Sequence, residues 1–277
     1  MTGRIPPDVH IGRICLRVRD IDRVVSFYRN VIGLVPHERA DGTAVVGSKT
    51  EPLIILETSS EQGEDNRAGL YHLAIRVPDR EALGSALERI EAAEGLDGAS
   101  DHGFSEALYF RDPEGNGIEM YTDRAREDWP RHSDGTIRAL TRPLETDKIR
   151  TMSDASSTVP STTDIGHVHL AVTDVDRSLD CYRDTLGLAL TMRPTNDVAF
   201  VSAGGYHHHI AMNTWERREN PAGGLGLSWF ELVFPTVESR ELALDRLARE
   251  RYSVNQAGAP PSATDPDGIR FKLTIES

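Results

Sequence analysis

Histidine is the residue type whose spacing first suggests chemistry in this chain. His207, His208 and His209 stand in an unbroken run. His167 and His169 lie two residues apart in the alternating segment 165–172, and His72 lies in a similar segment, 69–77. Imidazole titrates near neutral pH, so it can take and return a proton, and in its neutral form it binds metals. Alternate residues of a strand face opposite sides. His207 and His209 would therefore share one face and His208 the other, so not all three can serve one site. The facing argument alone does not choose between them. His167 and His169 share a face by the same rule.

The elements that must position these residues occur in duplicate. Residues 19–34 contain Phe27-Tyr28-Arg29 and Gly33-Leu34, and return as residues 173–188 with Cys181-Tyr182-Arg183 and Gly187-Leu188. Asp112-Pro113-Glu114-Gly115 returns as Asp265-Pro266-Asp267-Gly268. The chain is a tandem duplication. Each repeat opens with a strand-like run (11–18 and 165–172). Asp20 and Asp174 follow as N-caps, then a helical run led by Ile21, Val24, Val25, Tyr28, Val31 and Ile32 in the first copy. Gly33 and Gly187 sit where a C-cap glycine belongs. Strands are expected at 43–47, 53–57, 198–203 and 208–213.

The pattern then restarts in each repeat. Strands are expected at 69–77 and 226–234, helices at 79–92 and 236–249, and closing strands at 105–111, 117–121 and 269–275. This gives four βαβββ modules and an α+β fold of two open mixed-sheet barrels. The expected domains are 1–130 and 164–277. Residues 131–163, polar and rich in Ser and Thr, read as a surface linker.

Bulk composition excludes several classes. The net charge of -13 argues against a nucleic-acid partner. No apolar run reaches the roughly 18 residues of a membrane span, and residues 1–9 lack the apolar stretch of a signal peptide. Cys15 and Cys181 fall at non-matching places and read as reduced core residues of a cytoplasmic protein. Lysine occurs only at Lys49, Lys148 and Lys272. An acid-rich, lysine-poor surface suggests a halophilic source, where salt screens self-repulsion.

The Phe-Tyr-Arg and Leu-Gly phrase, the Asp-Pro-x-Gly turn and the count of four modules resemble the vicinal oxygen chelate superfamily of glyoxalases, extradiol dioxygenases and bleomycin-resistance proteins. Three segments resemble its two-domain catechol 2,3-dioxygenases more specifically: 204–215, 69–75 and 112–121. The resemblance implies a His on the opening strand of each of two modules and a Glu on a last strand. Two imidazoles and one carboxylate on one face leave positions open for substrate and dioxygen, which suits Fe(II), with Mn(II) as the alternative.

Read onto this chain, the second module offers His72 and Glu119, and the third offers His167. The first offers Arg13, which cannot ligate. The fourth offers Phe230 in place of His72 and Lys272 in place of Glu119. One metal site per chain is expected, built from the second and third modules. The resemblance also implies His208 as acid/base and Tyr109 and His102 as hydrogen-bonding groups at the substrate. Trp215 and Trp229 are candidate pocket walls.

The function expected from this set is extradiol cleavage of a catechol by O2 to a 2-hydroxymuconic semialdehyde, with a homo-oligomer allowed but not required. The rivals are a glyoxalase-like isomerase and a non-enzymatic binding protein of the bleomycin-resistance kind. Against the isomerase, no Asp or Glu lies between Ala203 and Thr214, where histidines stand instead.

Overall fold

The computed structural model describes residues 4–61, 66–257 and 259–276. The first module holds β1 (His10–Val18), α1 (Ile21–Phe27), a π-helical turn (Tyr28–Ile32), β2 (Val35–Ala40), β3 (Thr43–Gly47) and β4 (Pro52–Thr58). The second holds β5 (Gly69–Arg76), α2 (Arg80–Ala92), β6 (Leu96–Asp101), β7 (Ser105–Arg111) and β8 (Gly117–Asp123). After a segment with β9 (Arg142–Pro143) and α3 (Thr146–Arg150), the third module holds β10 (Asp164–Ala171), α4 (Val175–Leu179), a second π-helical turn (Asp180–Thr185), β11 (Ala189–Thr195), β12 (Val198–Ser202) and β13 (Ile210–Asn213). The fourth holds β14 (Gly226–Phe234), α5 (Val237–Arg249), β15 (Ser253–Asn255), β16 (Ser262–Thr264) and β17 (Arg270–Ile275).

The βαβββ order therefore recurs four times, in two open mixed sheets. One has eight strands in the order β15-β16-β17-β14-β1-β4-β3-β2. The other has nine, in the order β11-β12-β13-β10-β5-β8-β7-β6-β9. Each module pairs its opening strand in parallel with its last where register is defined: β5 with β8, β10 with β13, β14 with β17. Among the described residues no helix is long and apolar enough to cross a membrane.

The chain divides into two compact units. One comprises residues 16–60 and 72–166. Its α2 starts on Asp79, whose side chain accepts from Ala82 N–H. Leu83, Ala86, Leu87 and Ile90 are buried at helical spacing and form its apolar face. Gly84 is there for a close approach: a Cβ would stand 2.5 Å from the Ile149 carbonyl oxygen of the segment carrying α3. Arg89 donates to the carbonyls of Val31 (3.2 Å) and Ile32 (2.8 Å), and also to that of Ser156.

Residues 131–163, read from composition as a surface linker, carry the short elements β9 and α3. Ile137, Ile149 and Val159 are buried. Isolated apolar residues in a Ser/Thr-rich stretch carry no periodic signal, so sequence did not show the docking.

The other unit comprises residues 1–15, 61–71 and 167–277. Here the two duplicated phrases meet. Tyr182 is wholly buried and its hydroxyl donates to Asp265 Oδ2 at 3.0 Å. Asp265 Oδ1 accepts from the N–H groups of Asp267 (2.9 Å) and Ile269 (2.8 Å). Burial nevertheless pushes its carboxyl up to about 7. In the first unit Tyr28 is likewise buried, and burial together with the charge of Asp112 raises its phenol.

Both first helices keep the expected aspartate caps, Asp20 and Asp174. Gly33 and Gly187 both have φ 90°, the left-handed conformation expected after a helix end. The single helix expected over 21–32 ends in a wider turn instead: Gly33 N–H donates to Tyr28 O, five residues back, at 3.1 Å.

Candidate active site

His72, on β5, and Glu119, on β8, belong to a parallel pair of strands in which Ala74 lies opposite Glu119. His72 Nε2 lies 3.0 Å from Glu119 Oε2. His167 is on β10. Ligand atoms of these three residues all lie within 4.8 Å of one another. The three are 7%, 4% and 1% exposed respectively. A carboxylate and two imidazoles held this close and this dry form a donor set for a divalent transition metal, because such an ion neutralises the buried charge.

Tyr109, on β7, lies directly opposite Glu119 in the antiparallel pairing of β7 with β8. Its ring centroid is 5.8 Å from that of His72. His102 Nε2 and the Tyr109 hydroxyl are 2.8 Å apart, and His102 Nδ1 is 2.9 Å from the Leu140 carbonyl oxygen. A carbonyl only accepts, so Nδ1 carries the proton and donates to Leu140. Nε2 of the neutral ring then accepts from the Tyr109 hydroxyl. Leu140 was missed by sequence reasoning, and no signal could have found it, since it acts through its backbone oxygen.

The histidine run departs from expectation. His207, His208 and His209 are not on a strand; β13 begins at Ile210. Gly204 and Gly205, at φ 58° and 68°, turn the chain before them. Strict alternation of faces therefore fails, and all three histidines are buried. His209 Nδ1 accepts from Ala203 N–H at 3.2 Å. His207 Nδ1 and His208 Nδ1 are 2.7 Å apart. The His208 ring centroid is 4.0 Å from that of His167, and that of His207 is 6.0 Å away. His208 thus lies closer to the candidate ligand than His207 does.

His169 shares a strand with His167 but has another partner. Trp215 N–H donates to Asn213 Oδ1 at 3.0 Å, which fixes how that amide is turned. Asn213 Nδ2 then donates to His169 Nε2 at 2.8 Å. Trp215 is 51% exposed.

The counterpart position in the fourth module needs a correction. Glu231 lies opposite Lys272 in the β14–β17 pairing, as Ala74 lies opposite Glu119 in the β5–β8 pairing. The residue standing for His72 is therefore Trp229, one before the Phe230 expected from sequence. Phe230 is wholly buried in the core. With no histidine in 226–234 the sequence offers no anchor, and a slip of one residue exchanges the faces of a strand.

Here Lys272 Nζ sits 3.4 Å from the Trp229 ring centroid, a cation–π contact in place of His72 and Glu119. Arg13, standing where His167 does, donates to Glu231 from Nη2 at 2.8 Å and from Nε at 3.0 Å. The two parallel charge-assisted bonds form a forked pair. These groups hold two fixed cations and present no set of metal ligands.

Comparisons with known proteins bear on the family and the fold. The family model of the Glyoxalase/Bleomycin resistance protein/Dioxygenase superfamily matches residues 10–120 and 164–273. A catechol-2,3-dioxygenase of Bacillus subtilis is 36% identical over 272 residues, covering 95% of each chain. Among solved structures, a Bacillus subtilis protein aligns with TM-score 0.67 at 15% identity, covering 99% of this chain and 86% of that one. Glyoxalase I of Zea mays aligns with TM-score 0.60 at 17% identity, covering 97% and 92%. At those identities the structures speak for the fold alone. The duplicated βαβββ modules and the family match over both repeats establish that this chain belongs to the glyoxalase/bleomycin resistance protein/dioxygenase superfamily.

Proposed function

We propose that the chain is an extradiol dioxygenase that opens a catechol ring with O2 to give a 2-hydroxymuconic semialdehyde. The observation that carries this is the buried cluster of His72, Glu119 and His167. It gains weight from likeness to a relative named for catechol cleavage. The three side chains would hold one Fe(II), or Mn(II), which accepts the same donors. Bound there, the ion would supply adjacent positions for the two catechol oxygens and for dioxygen.

The remaining work falls to the chain's own residues. His208, with its ring beside that of His167, would take a proton from a catechol oxygen and return one to an oxygen of the ring-opened product. Tyr109, oriented through the chain Leu140–His102–Tyr109, holds the substrate oxygen near the ligands. Burial of the ligands keeps bulk water from the reacting groups. In the overall reaction one ring C–C bond breaks beside the diol and both atoms of O2 enter the product.

The isomerase reading lacks a carboxylate in the segment 204–213. A sequestering protein has no need of the ligand cluster. The test is anaerobic loading with Fe(II), followed by metal analysis and oxygen uptake with catechol. Wild type should bind one ion per chain and consume oxygen. His72→Ala, His167→Ala and Glu119→Ala should each lose the ion and at least about 100-fold in rate. Full activity in any one of them contradicts the assignment of that ligand.

A further inference from the structure

Two of the three candidate ligands come from the second module, while His167 comes from the third. The residues just before His167 are held by the second module itself. Gly166 is not among the glycines with positive φ, so it is there for space rather than for backbone freedom. A Cβ at this position would overlap the Tyr121 hydroxyl and stand 2.8 Å from Tyr121 Cζ and 3.3 Å from Arg76 Cβ. Arg76 in turn donates to Asp164 through Nε at 3.0 Å and Nη2 at 2.5 Å, and to Asp123 Oδ2 through Nη1 at 3.3 Å. The start of β10 is thus gripped at Asp164 and at Gly166.

Both gripping residues belong to the strands that carry the other two ligands. Arg76 and Tyr121 lie opposite each other in the β5–β8 pairing, two residues beyond the pair Ala74 and Glu119. Tyr121 therefore shares a strand face with Glu119, and Arg76 shares one with His72. Tyr121 is wholly buried and packed with Ala74 and Ala107. A ring so enclosed moves little unless β8 moves with it.

The modules without ligands lack this grip. Ile11-Gly12-Arg13 matches Ile165-Gly166-His167, so His10 stands where Asp164 does. In the β14–β17 pairing, Val233 and Thr274 stand where Arg76 and Tyr121 do. A Cβ on Gly12 would meet Val233 Cγ2 at 2.7 Å and Glu231 Oε2 at 2.9 Å. The glycine is kept in both repeats, whereas the phenol and the ion pair occur only beside the ligand cluster.

We propose that Tyr121 is a positioning residue for the metal site. Seated against Gly166, it sets how near the next residue, His167, stands to His72 and Glu119. The Arg76–Asp164 pair holds the end of the same strand. This rests on the reading of those three side chains as metal ligands.

The test measures affinity for Mn(II), from the loss of the free-ion electron paramagnetic resonance signal, and so needs no turnover. Wild type should bind one ion per chain. Tyr121→Phe leaves a gap the size of an oxygen atom, and Gly166→Ala presses on the ring. Each should weaken binding about tenfold, the low end for groups that support a ligand. In Tyr121→Phe/Gly166→Ala the new methyl enters the space that the hydroxyl left. Binding should return to within about threefold of wild type, a coupling that independent sites do not show. Gly84→Ala, which strains a contact with Ile149 instead, controls for lost stability and should bind Mn(II) as wild type does.

Wild-type affinity in folded Gly166→Ala overturns the proposal. So does an equal loss in Gly84→Ala, since affinity would then follow stability alone. If Gly166→Ala does not fold, the double variant is read against Tyr121→Phe: tighter binding supports the proposal and weaker binding overturns it. Wild type that binds no ion overturns the metal site, and the positioning role with it. Wild type that binds, with losses that simply add in the double variant, overturns the positioning role alone.

Discussion

At the scale of single residues, hydrogen-bond partners decide roles that residue type leaves open. The chain has several histidines that could act as base, ligand or donor, and the atoms they face sort them. His209 accepts a backbone N–H, His169 accepts the Asn213 amide, and His102 donates to Leu140. The ligand candidates came from the family resemblance, which gives each a fixed place in a repeated module. The partners that fix the tautomers were not legible, because a carbonyl or an amide rotamer leaves no mark in the sequence.

Asp265 carries a prediction of its own at this scale. Its folded carboxyl titrates near 7 because it is buried, against an ordinary value of 3.8. The fold therefore favours the protonated form. Stability from this group is full below the ordinary value, falls as pH rises from about 4 to 7, and is level above. Asp265→Asn mimics the protonated acid. Denaturant midpoints measured across that range should show a flatter pH dependence in the variant than in wild type. The same slope in both contradicts the assignment.

At the scale of elements, the strongest sequence signals were local and periodic. The strands at 43–47, 105–111 and 226–234 have the bounds expected, and both long helices start one residue after the expected 79 and 236, with Asp79 and Thr236 as their N-caps. What escaped was either short or weakly periodic: β2, β6, β9, β11, β15 and β16, α3, and the π-helical turns. The histidine run misled because three apolar-flanked residues read as strand, while Gly204 and Gly205 turn the backbone just ahead of them.

The docking of α3 on α2 depends on the missing side chain at Gly84. Alanine is the better helix former by about 1 kcal/mol. Its Cβ would nevertheless press on the Ile149 carbonyl at 2.5 Å, and on Ser153 N at 3.0 Å. Gly84→Ala should therefore destabilise the protein by about 1–3 kcal/mol net, read as a lowered Tm. An unchanged or raised Tm means that the contact is not tight in solution.

For the whole molecule, duplication has given two versions of one arrangement with different charges. One has His72, Glu119 and His167; the other has Trp229, Lys272 and Arg13, with Glu231 where Ala74 stands. The quadruple variant Arg13→His, Trp229→His, Glu231→Ala, Lys272→Glu restores the donor types at the second set of positions. It should raise bound metal from one ion per chain to two, measured on the folded, desalted protein. A count that stays at one in a correctly folded variant shows that these positions no longer hold the geometry. Sequence revealed the duplication and the side that lacks ligands, while strand register was needed to name the counterpart of His72.

The central claim is that the buried His72, Glu119 and His167 serve a dioxygenase. The most direct measurement supplies isotopically heavy O2 to the Fe(II)-loaded enzyme with a catechol and follows the label by mass spectrometry. The account predicts one O2 consumed per catechol and both labelled atoms in the ring-opened product as it is first formed. Catechol left intact, or label recovered only as water, would contradict it.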